Sequence, residues 1–414
     1  MVMTYICNNS KISLPLGRDQ NLKMSLYAQR GVSAQKEEVH AAIQKLDQGL
    51  YPNAFCKIYA DLLCGDKDWV NIMHADGAGT KSILAYLYWK ETGDATVWEG
   101  IAQDAVAMNL DDLLCVGVTD NFLFSSTIDR NKLLISGDVL QAVINGTQAF
   151  FNQLKTLGVN IHYLGGETAD VGDVVRTIAV NGTMTARWPK SKLVTNDKIV
   201  PGNVIVGFGS AGKASYETDY NSGLGSNGLT SARHDVLSKY YAEKYPETFE
   251  PVLPAEVVYI GKNKLTDELM IAGEKITVGK LLLSPTRTYA PLLKVLLDEY
   301  FADINGLIHC SGGGQTKCMK YLPRPLSVIK DNLFDIPPIF QLIRQNSGAD
   351  FREMYQVFNM GHRLEVFTNE TAAVKMIATA NTFNIEAKII GRVEAALQSS
   401  LLLKGSFGEL LYEY

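Results

Sequence analysis

Two kinds of segment in this 414-residue chain could do chemistry together: glycine-rich turns that free backbone amides for an anion, and a stretch carrying three carboxylates. The first turn reads Ala75-Asp76-Gly77-Ala78-Gly79-Thr80-Lys81, between apolar runs at residues 70–73 and 82–89. Glycines let the backbone approach a phosphate closely, amides at a helix start favour anions, and Lys81 adds a point charge. It is not a Walker A loop, because Thr80 separates Gly79 from Lys81. Asp76 beside such a loop would repel phosphate unless a divalent cation lay between them, which points to Mg²⁺. A plain turn with a solvated Asp is the alternative reading of this segment.

The carboxylates lie in Gln103-Asp104-Ala105-Val106-Ala107-Met108-Asn109-Leu110-Asp111-Asp112-Leu113-Leu114. On a helix, Asp104 and Asp111 fall within about 20° of each other and Asp112 about 80° from Asp104. No basic residue within 103–114 balances them, so a bound cation or a solvated face must relieve their repulsion. With Asp76 in the same half, the expectation is that Asp76 and Asp112 ligate Mg²⁺, with Asp104 as a ligand or close behind. Further glycine clusters are Gly165-Gly166-Glu167-Thr168, Gly223 to Gly228, and His309-Cys310-Ser311-Gly312-Gly313-Gly314. Each could present amides to an anion, and each alone equally fits an ordinary turn. Gly207-Phe208-Gly209-Ser210-Ala211-Gly212 matches GxGxxG, but residues 213–222 lack the helical pattern a dinucleotide site needs.

The elements that must position these residues alternate between strand-like and helical patterns. Helices are expected at 97–114, 140–157, 229–240, 289–300, 340–345 and 372–382, and strands at 70–73, 160–164, 204–208 and 364–367. Residues 174–187 alternate apolar and polar positions, which predicts one long strand. The mixture is α/β or α+β, and a polar, turn-prone stretch at 188–202 marks a boundary between domains at 1–190 and 200–414. Lys+Arg 39 against Asp+Glu 44 gives a net charge of -5 with no basic run, which disfavours nucleic-acid and membrane-surface partners. No apolar stretch approaches the ~18 residues of a membrane span. The first residues carry neither a cationic start nor an apolar core, so a cytoplasmic location is expected. Six scattered cysteines and six histidines show no CxxC or HExxH spacing, so any metal must take oxygen ligands.

In this order, the segments resemble the aminoimidazole ribonucleotide synthetase family, the phosphoribosylformylglycinamidine cyclo-ligases. The family's DGxGTK matches residues 76–81, VAMxxND matches 106–112, GGETAEM matches 165–170, and the SNG of HSNG matches 226–228. Its LxPTRxY matches 283–289, IxHxTGGG matches 308–314, and EMYxxFNMG matches 353–361, so the likeness runs from about 25 to 393. The first three motifs are shared with selenophosphate synthetase, thiamine-phosphate kinase and formylglycinamidine ribonucleotide synthetase.

The resemblance implies an α/β (α+β) protomer whose N-terminal half joins a partner's in a dimeric β-barrel with flanking helices, followed by a C-terminal α/β domain. It implies a homodimer that uses ATP and Mg²⁺ on a ribonucleotide substrate. Lys81, Asp112 and Glu167 would then be catalytic. Gly77, Gly79, Thr80, Lys81, Gly165, Gly166 and Thr168 would contact ATP. Ser226, Asn227, Gly312, Gly313 and Asn359 would hold the substrate, and Asp76, Asp104 and Asp112 the metal.

Four features depart from the family. Residues 25–32 lack its Lys-Asp pair, which leaves Arg30 as the cation there. Gly225 replaces the histidine of HSNG, the loop after Thr168 is short, and residues are inserted within 213–223 and 238–279. These changes leave two rivals, an inactive nucleotide-binding paralogue and another ATP-using member of the superfamily.

Overall fold

The computed structural model describes residues 25–33, 38, 42 and 45–413. Cys7, His40 and the reading of the first ten residues lie outside these. The two sheets divide where the sequence changes character, with every strand of the first at or before Pro189 and every strand of the second from Val204 onward.

The first sheet has five strands in the order β1-β2-β5-β3-β4: β1 (Ile58–Ala60), β2 (Trp69–Gly77), β3 (Phe122–Arg130), β4 (Ile161–Asp170) and β5 (Ile178–Pro189). A short N-terminal helix, α1 (Leu26–Gln29), precedes them, and α2 (Lys81–Thr92), α3 (Val97–Leu114) and α4 (Gly137–Thr156) interleave with them. β3 and β4 run parallel, joined through α4, and the other pairs are antiparallel. β5 alternates strictly, sending Val180, Met184 and Ala186 towards the helices and Asn181, Thr183 and Thr185 to the opposite face. It starts at Ile178 and not at 174, because Val174 and Val175 both bond back to the Val171 carbonyl in a turn. α3 carries apolar residues on nearly every side, as a helix sandwiched between two layers must, and packs on β2 and β5 as well as on the C-terminal half.

Among the described residues no element covers the opposite face of this sheet, with Met73, Leu123 and Leu164 exposed and Leu62 and Leu63 at its margin. The sheet is open, with β1 and β4 as its edges, so the expected barrel is not closed within one chain.

The second sheet orders seven strands β14-β13-β10-β12-β6-β11-β9. They are β6 (Val204–Gly209), β9 (Gly306–His309), β10 (Leu326–Lys330), β11 (His362–Thr368), β12 (Ala387–Ala395), β13 (Ser400–Gly405) and β14 (Gly408–Glu413). The helices of this half are α5 (Leu229–Val236), α6 (Tyr240–Lys244), α7 (Val278–Leu283), α8 (Ala290–Tyr300), α9 (Pro338–Ser347), α10 (Phe351–Val357) and α11 (Glu370–Thr382). The helix expected over 229–240 is broken at Leu237, whose backbone is extended. The inserted residues after it form α6 and a hairpin, β7 (Glu268–Ile271) and β8 (Glu274–Thr277). Here Tyr86 of α2 donates to Glu247, and Tyr240, Tyr245 and Lys244 converge on Glu91. No helix among the described residues is long and apolar enough to cross a membrane.

α1 does not stay with the first domain. The Arg30 side chain is fully buried in the second, donating to the Val257 carbonyl at 2.9 Å, to Ser231 and to Asp235 Oδ1 at 2.6 Å. Arg30 is therefore an anchor for the arm, with Nε and Nη1 bonded to the second domain and Nη2 enclosed within it. Arg30→Ala should speed proteolytic cleavage within residues 25–33 and leave the Michaelis constant for ATP within about twofold of wild type. A tenfold rise in that constant would restore the phosphate reading.

Candidate active site at the domain interface

The three carboxylates of α3 do not face one another or water; each is claimed by residues from outside the helix. Asp104 Oδ1 accepts from Lys81 Nζ at 2.8 Å and from the Thr286 amide at 2.7 Å, and Lys81 also donates to the Ser284 carbonyl at 2.6 Å. Lys81 and Asp104 are both fully buried. Asp111 Oδ1 accepts from Thr288 Oγ1 at 2.5 Å and from the Tyr289 amide at 3.2 Å, with Arg363 Nη2 3.7 Å from Oδ2. Asp112 is shared by two imidazoles, His309 Nδ1 at 2.6 Å from Oδ1 and His74 Nε2 at 3.1 Å from Oδ2. The repulsion that suggested a cation is thus relieved by Lys81, Arg363, His74 and His309, which sequence spacing along α3 could not reveal.

Burial alone would raise the Asp112 carboxyl, but the hydrogen bonds from His309 and His74 outweigh it and hold the group well below the usual carboxylate range. An ionised carboxylate only accepts, so both ring nitrogens facing it must donate. His74 also donates Nδ1–H to Asn109 Oδ1 at 3.2 Å, and an imidazole donating from both nitrogens is a cation. Burial opposes this, yet Asp112 pushes the His74 pKa above its ordinary 6.5. A raised folded pKa stabilises the fold fully below the unfolded value and is lost as pH rises through the folded one. The melting temperature of wild type should therefore exceed that of His74→Gln by more at pH 6 than at pH 9. An unchanging difference would contradict the imidazolium assignment.

The glycine loop begins inside β2 and ends at α2. A Cβ on Gly77 would lie 2.6 Å from the Val180 carbonyl, so glycine is required by the close approach of β5. Thr80 Oγ1 lies 3.0 Å from Thr230 Oγ1 at the start of α5, which joins this loop to the second domain. Lys81 points away from the loop into its ion pair and is not a free phosphate cation, contrary to expectation. Asp76 is exposed, and its Oδ1 accepts from the Gly77 amide.

Gly165, Gly166, Glu167 and Thr168 lie within β4, an exposed edge strand, and not after a strand end. Gly77, Asn181, Thr127 and Glu167 form one cross-strand row, so the two motifs share a level of the sheet three strand spacings, roughly 14 Å, apart. By strand alternation Glu167 faces the uncovered side while Asp112 lies under the helix side. One chain therefore does not bring Glu167 to Asp112.

The substrate-side segments do meet. Ser226 Oγ is 2.9 Å from Thr286 Oγ1, and a Cβ on Gly312 would stand 3.5 Å from Asn227 Nδ2, so the turn at 225–228 faces the loop at 311–314 that contains Gly313. Asn359 is a hub: its Oδ1 accepts from Ser210 Oγ and the Gly361 amide, and its Nδ2 donates to the Gly223 carbonyl. It holds the turn in place and does not reach into open space. Arg287 grips Glu217 with both arms and donates to the carbonyls of Gly209 and Ala211, filling the space near the GxGxxG match.

Asp104 and Asp112 do not fit a Mg²⁺ ion, because their oxygens are taken by donors or enclosed, whereas Asp76 remains exposed. Among the described residues the one cluster with ligand geometry is Cys310, His362 and Glu365. There the buried Lys330 ammonium already bonds Glu365, so a cation is present without metal.

Comparison with known proteins agrees with this architecture. The N-terminal domain of AIR synthase related proteins matches residues 58–188, and their C-terminal domain matches 200–404. A phosphoribosylformylglycinamidine cyclo-ligase of Methanocaldococcus jannaschii is 30% identical over 332 residues, 80% of either chain. The enzyme of that name from Pyrococcus horikoshii is 30% identical over 71% of either chain. In fold, the chain is similar to AaThiL complexed with AMPPCP and TMP, at TM-score 0.53, 12% identity and coverage of 89% of this chain and 93% of that one. It is also similar to T. maritima PurL complexed with FGAR, at TM-score 0.51 and 13% identity, covering 94% of this chain and 54% of that one. With both halves matched in order and a cyclo-ligase aligned over four-fifths of its length, this chain belongs to the phosphoribosylformylglycinamidine cyclo-ligase family of AIR synthase related enzymes.

Proposed function

We propose that the chain cyclises formylglycinamidine ribonucleotide to aminoimidazole ribonucleotide, using Mg-ATP and releasing ADP and phosphate, a cytoplasmic step of purine biosynthesis. The observation that carries this reading is the convergence of the glycine loop, the turn at 225–228 and the loop at 311–314 on the carboxylate face of α3. In the reaction the γ-phosphoryl group moves to the formyl amide oxygen. The amidine nitrogen then bonds to the activated carbon and loses its proton, and phosphate leaves with the carbon–oxygen electrons. Amide oxygen is a poor leaving group and phosphate a good one, so positioning and backbone donors matter more than a strong acid. Gly77, Gly79, Thr80, Gly165, Gly166 and Thr168 are the residues we assign to ATP, and Ser226, Asn227, Gly312 and Gly313 to the ribonucleotide. His309 donates Nδ1–H to Asp112 and so joins the loop at 311–314 to the carboxylate face of α3.

The uncovered sheet face supports a homodimer, since exposed Met73, Leu123 and Leu164 would otherwise face water, and the partner's β4 would then bring a second Glu167 to the assembly. Light scattering at micromolar concentration should give twice the 45.5 kDa chain mass, and Met73→Glu with Leu123→Glu should give the monomer. Monomeric wild type would rule this out. A second reading, a nucleotide-binding paralogue without turnover, is favoured by the burial of Lys81 and Arg30. Purified protein incubated with ATP and formylglycinamidine ribonucleotide decides between them: ADP and aminoimidazole ribonucleotide in equal amounts support the cyclo-ligase, and nucleotide binding without ADP formation supports the paralogue.

A further inference from the structure

Gly225, where the family turn carries histidine, leaves space that another side chain fills. A Cβ at position 225 would lie 2.8 Å from Arg363 Nη1. Arg363 sits on β11, between β6 and the edge strand β9 of the second sheet, and is 2% exposed. A guanidinium has five N–H donors, and this one uses a single arm, Nη2, which donates to the Arg287 carbonyl. Its Nε is enclosed without a partner, and Nη1 has no hydrogen bond to the described residues. The nearest carboxylate oxygen, Asp111 Oδ2, is 3.7 Å away, beyond hydrogen-bond reach, and is itself unpartnered. Burying a cation with most of its donors unmet is costly unless an anion completes the shell. Neighbouring cations are committed elsewhere, Lys81 to Asp104 and Arg287 to Glu217.

We propose that Arg363, whose guanidinium reaches the turn at 225–228 because residue 225 is glycine, receives the phosphate monoester of the ribonucleotide there. Asp111, held by Thr288 and the Tyr289 amide, fixes the back of the guanidinium. Ser226 and Asn227, both half-buried, form the side of the turn from which a phosphate would approach. A planar fork matches phosphate oxygens two at a time.

The kinetic part of the test rests on the cyclo-ligase reading, whereas titration with ribose 5-phosphate does not, so either can fail alone. Arg363→Gln should weaken ribose 5-phosphate binding about tenfold and raise the Michaelis constant of the ribonucleotide similarly, as expected for one charge-assisted contact. Affinity for the non-hydrolysable nucleotide AMPPNP should stay within about twofold. Gly225→His alone should lower the melting temperature, because residue 225 holds a φ of +72° and its Cβ meets Arg363. The double variant Gly225→His/Arg363→Gly should bind ribose 5-phosphate within about threefold of wild type, while Arg363→Gly alone does not. Unchanged ribose 5-phosphate affinity in Arg363→Gln overturns the proposal, as does a loss confined to AMPPNP, which would assign the residue to ATP. Should Arg363→Gln fail to fold, the double variant decides: recovery supports the proposal and no recovery overturns it.

Discussion

Lys81→Met should lower the unfolding free energy by about 3–5 kcal/mol, the range for removing one partner of a buried ion pair. The variant leaves Asp104 in the interior with Thr286 as its remaining donor and the Ser284 carbonyl without one. Both carbonyl and carboxylate belong to the contact between α3 and the segment at 283–289, so the loss should appear as separation of the two domains before the sheets unfold. Denaturant titration followed by tryptophan fluorescence, with Trp98 on α3 as reporter, reads it out. Adding Asp104→Leu should return most of the stability, because an apolar pair of similar volume needs no desolvation. A loss under about 1 kcal/mol in Lys81→Met would mean the ammonium is not paired in solution and would return Lys81 to the phosphate loop.

Asp112→Asn should lower turnover by at least ~10²-fold, the scale of losing one preorganised electrostatic contact at a reacting group. The route to that loss is not a missing metal ligand. An asparagine has a single acceptor oxygen and cannot satisfy His309 and His74 together, so one imidazole loses its orientation and His74 loses the reason for its charge. A shifted pH–rate profile in Asp112→Asn, with unchanged Mg²⁺ dependence, distinguishes this from ligation. Wild-type turnover in the variant would remove Asp112 from the mechanism. Asp111→Asn is the comparison: its Oδ1 can keep both Thr288 and Tyr289, so turnover should fall less than in Asp112→Asn, with a loss of stability from the unbalanced Arg363.

The chain's local signals were sufficient for its family and much of its framework. Contiguous motifs in a set order identify the family, and the apolar run at 97–114 became α3 with the same ends because helical periodicity is a property of neighbouring residues. The strand at 204–208 was legible for the same reason. The long strand at 174–187 was overextended because alternation continues through a turn that only backbone hydrogen bonding reveals. What tertiary structure decided is the partner of each charge. Lys81 meets Asp104 at a separation of 23 residues, His309 meets Asp112 at 197, and Arg30 meets Asp235 at 205. Charged side chains that look free along the chain are paired with elements distant in sequence, because a buried charge persists only where another element supplies its counter-charge or hydrogen bonds. Arg363 beside Gly225 is the extreme case: neither residue signals the other in the sequence, and the space one vacates and the other fills exists only once β11 and the turn are packed together.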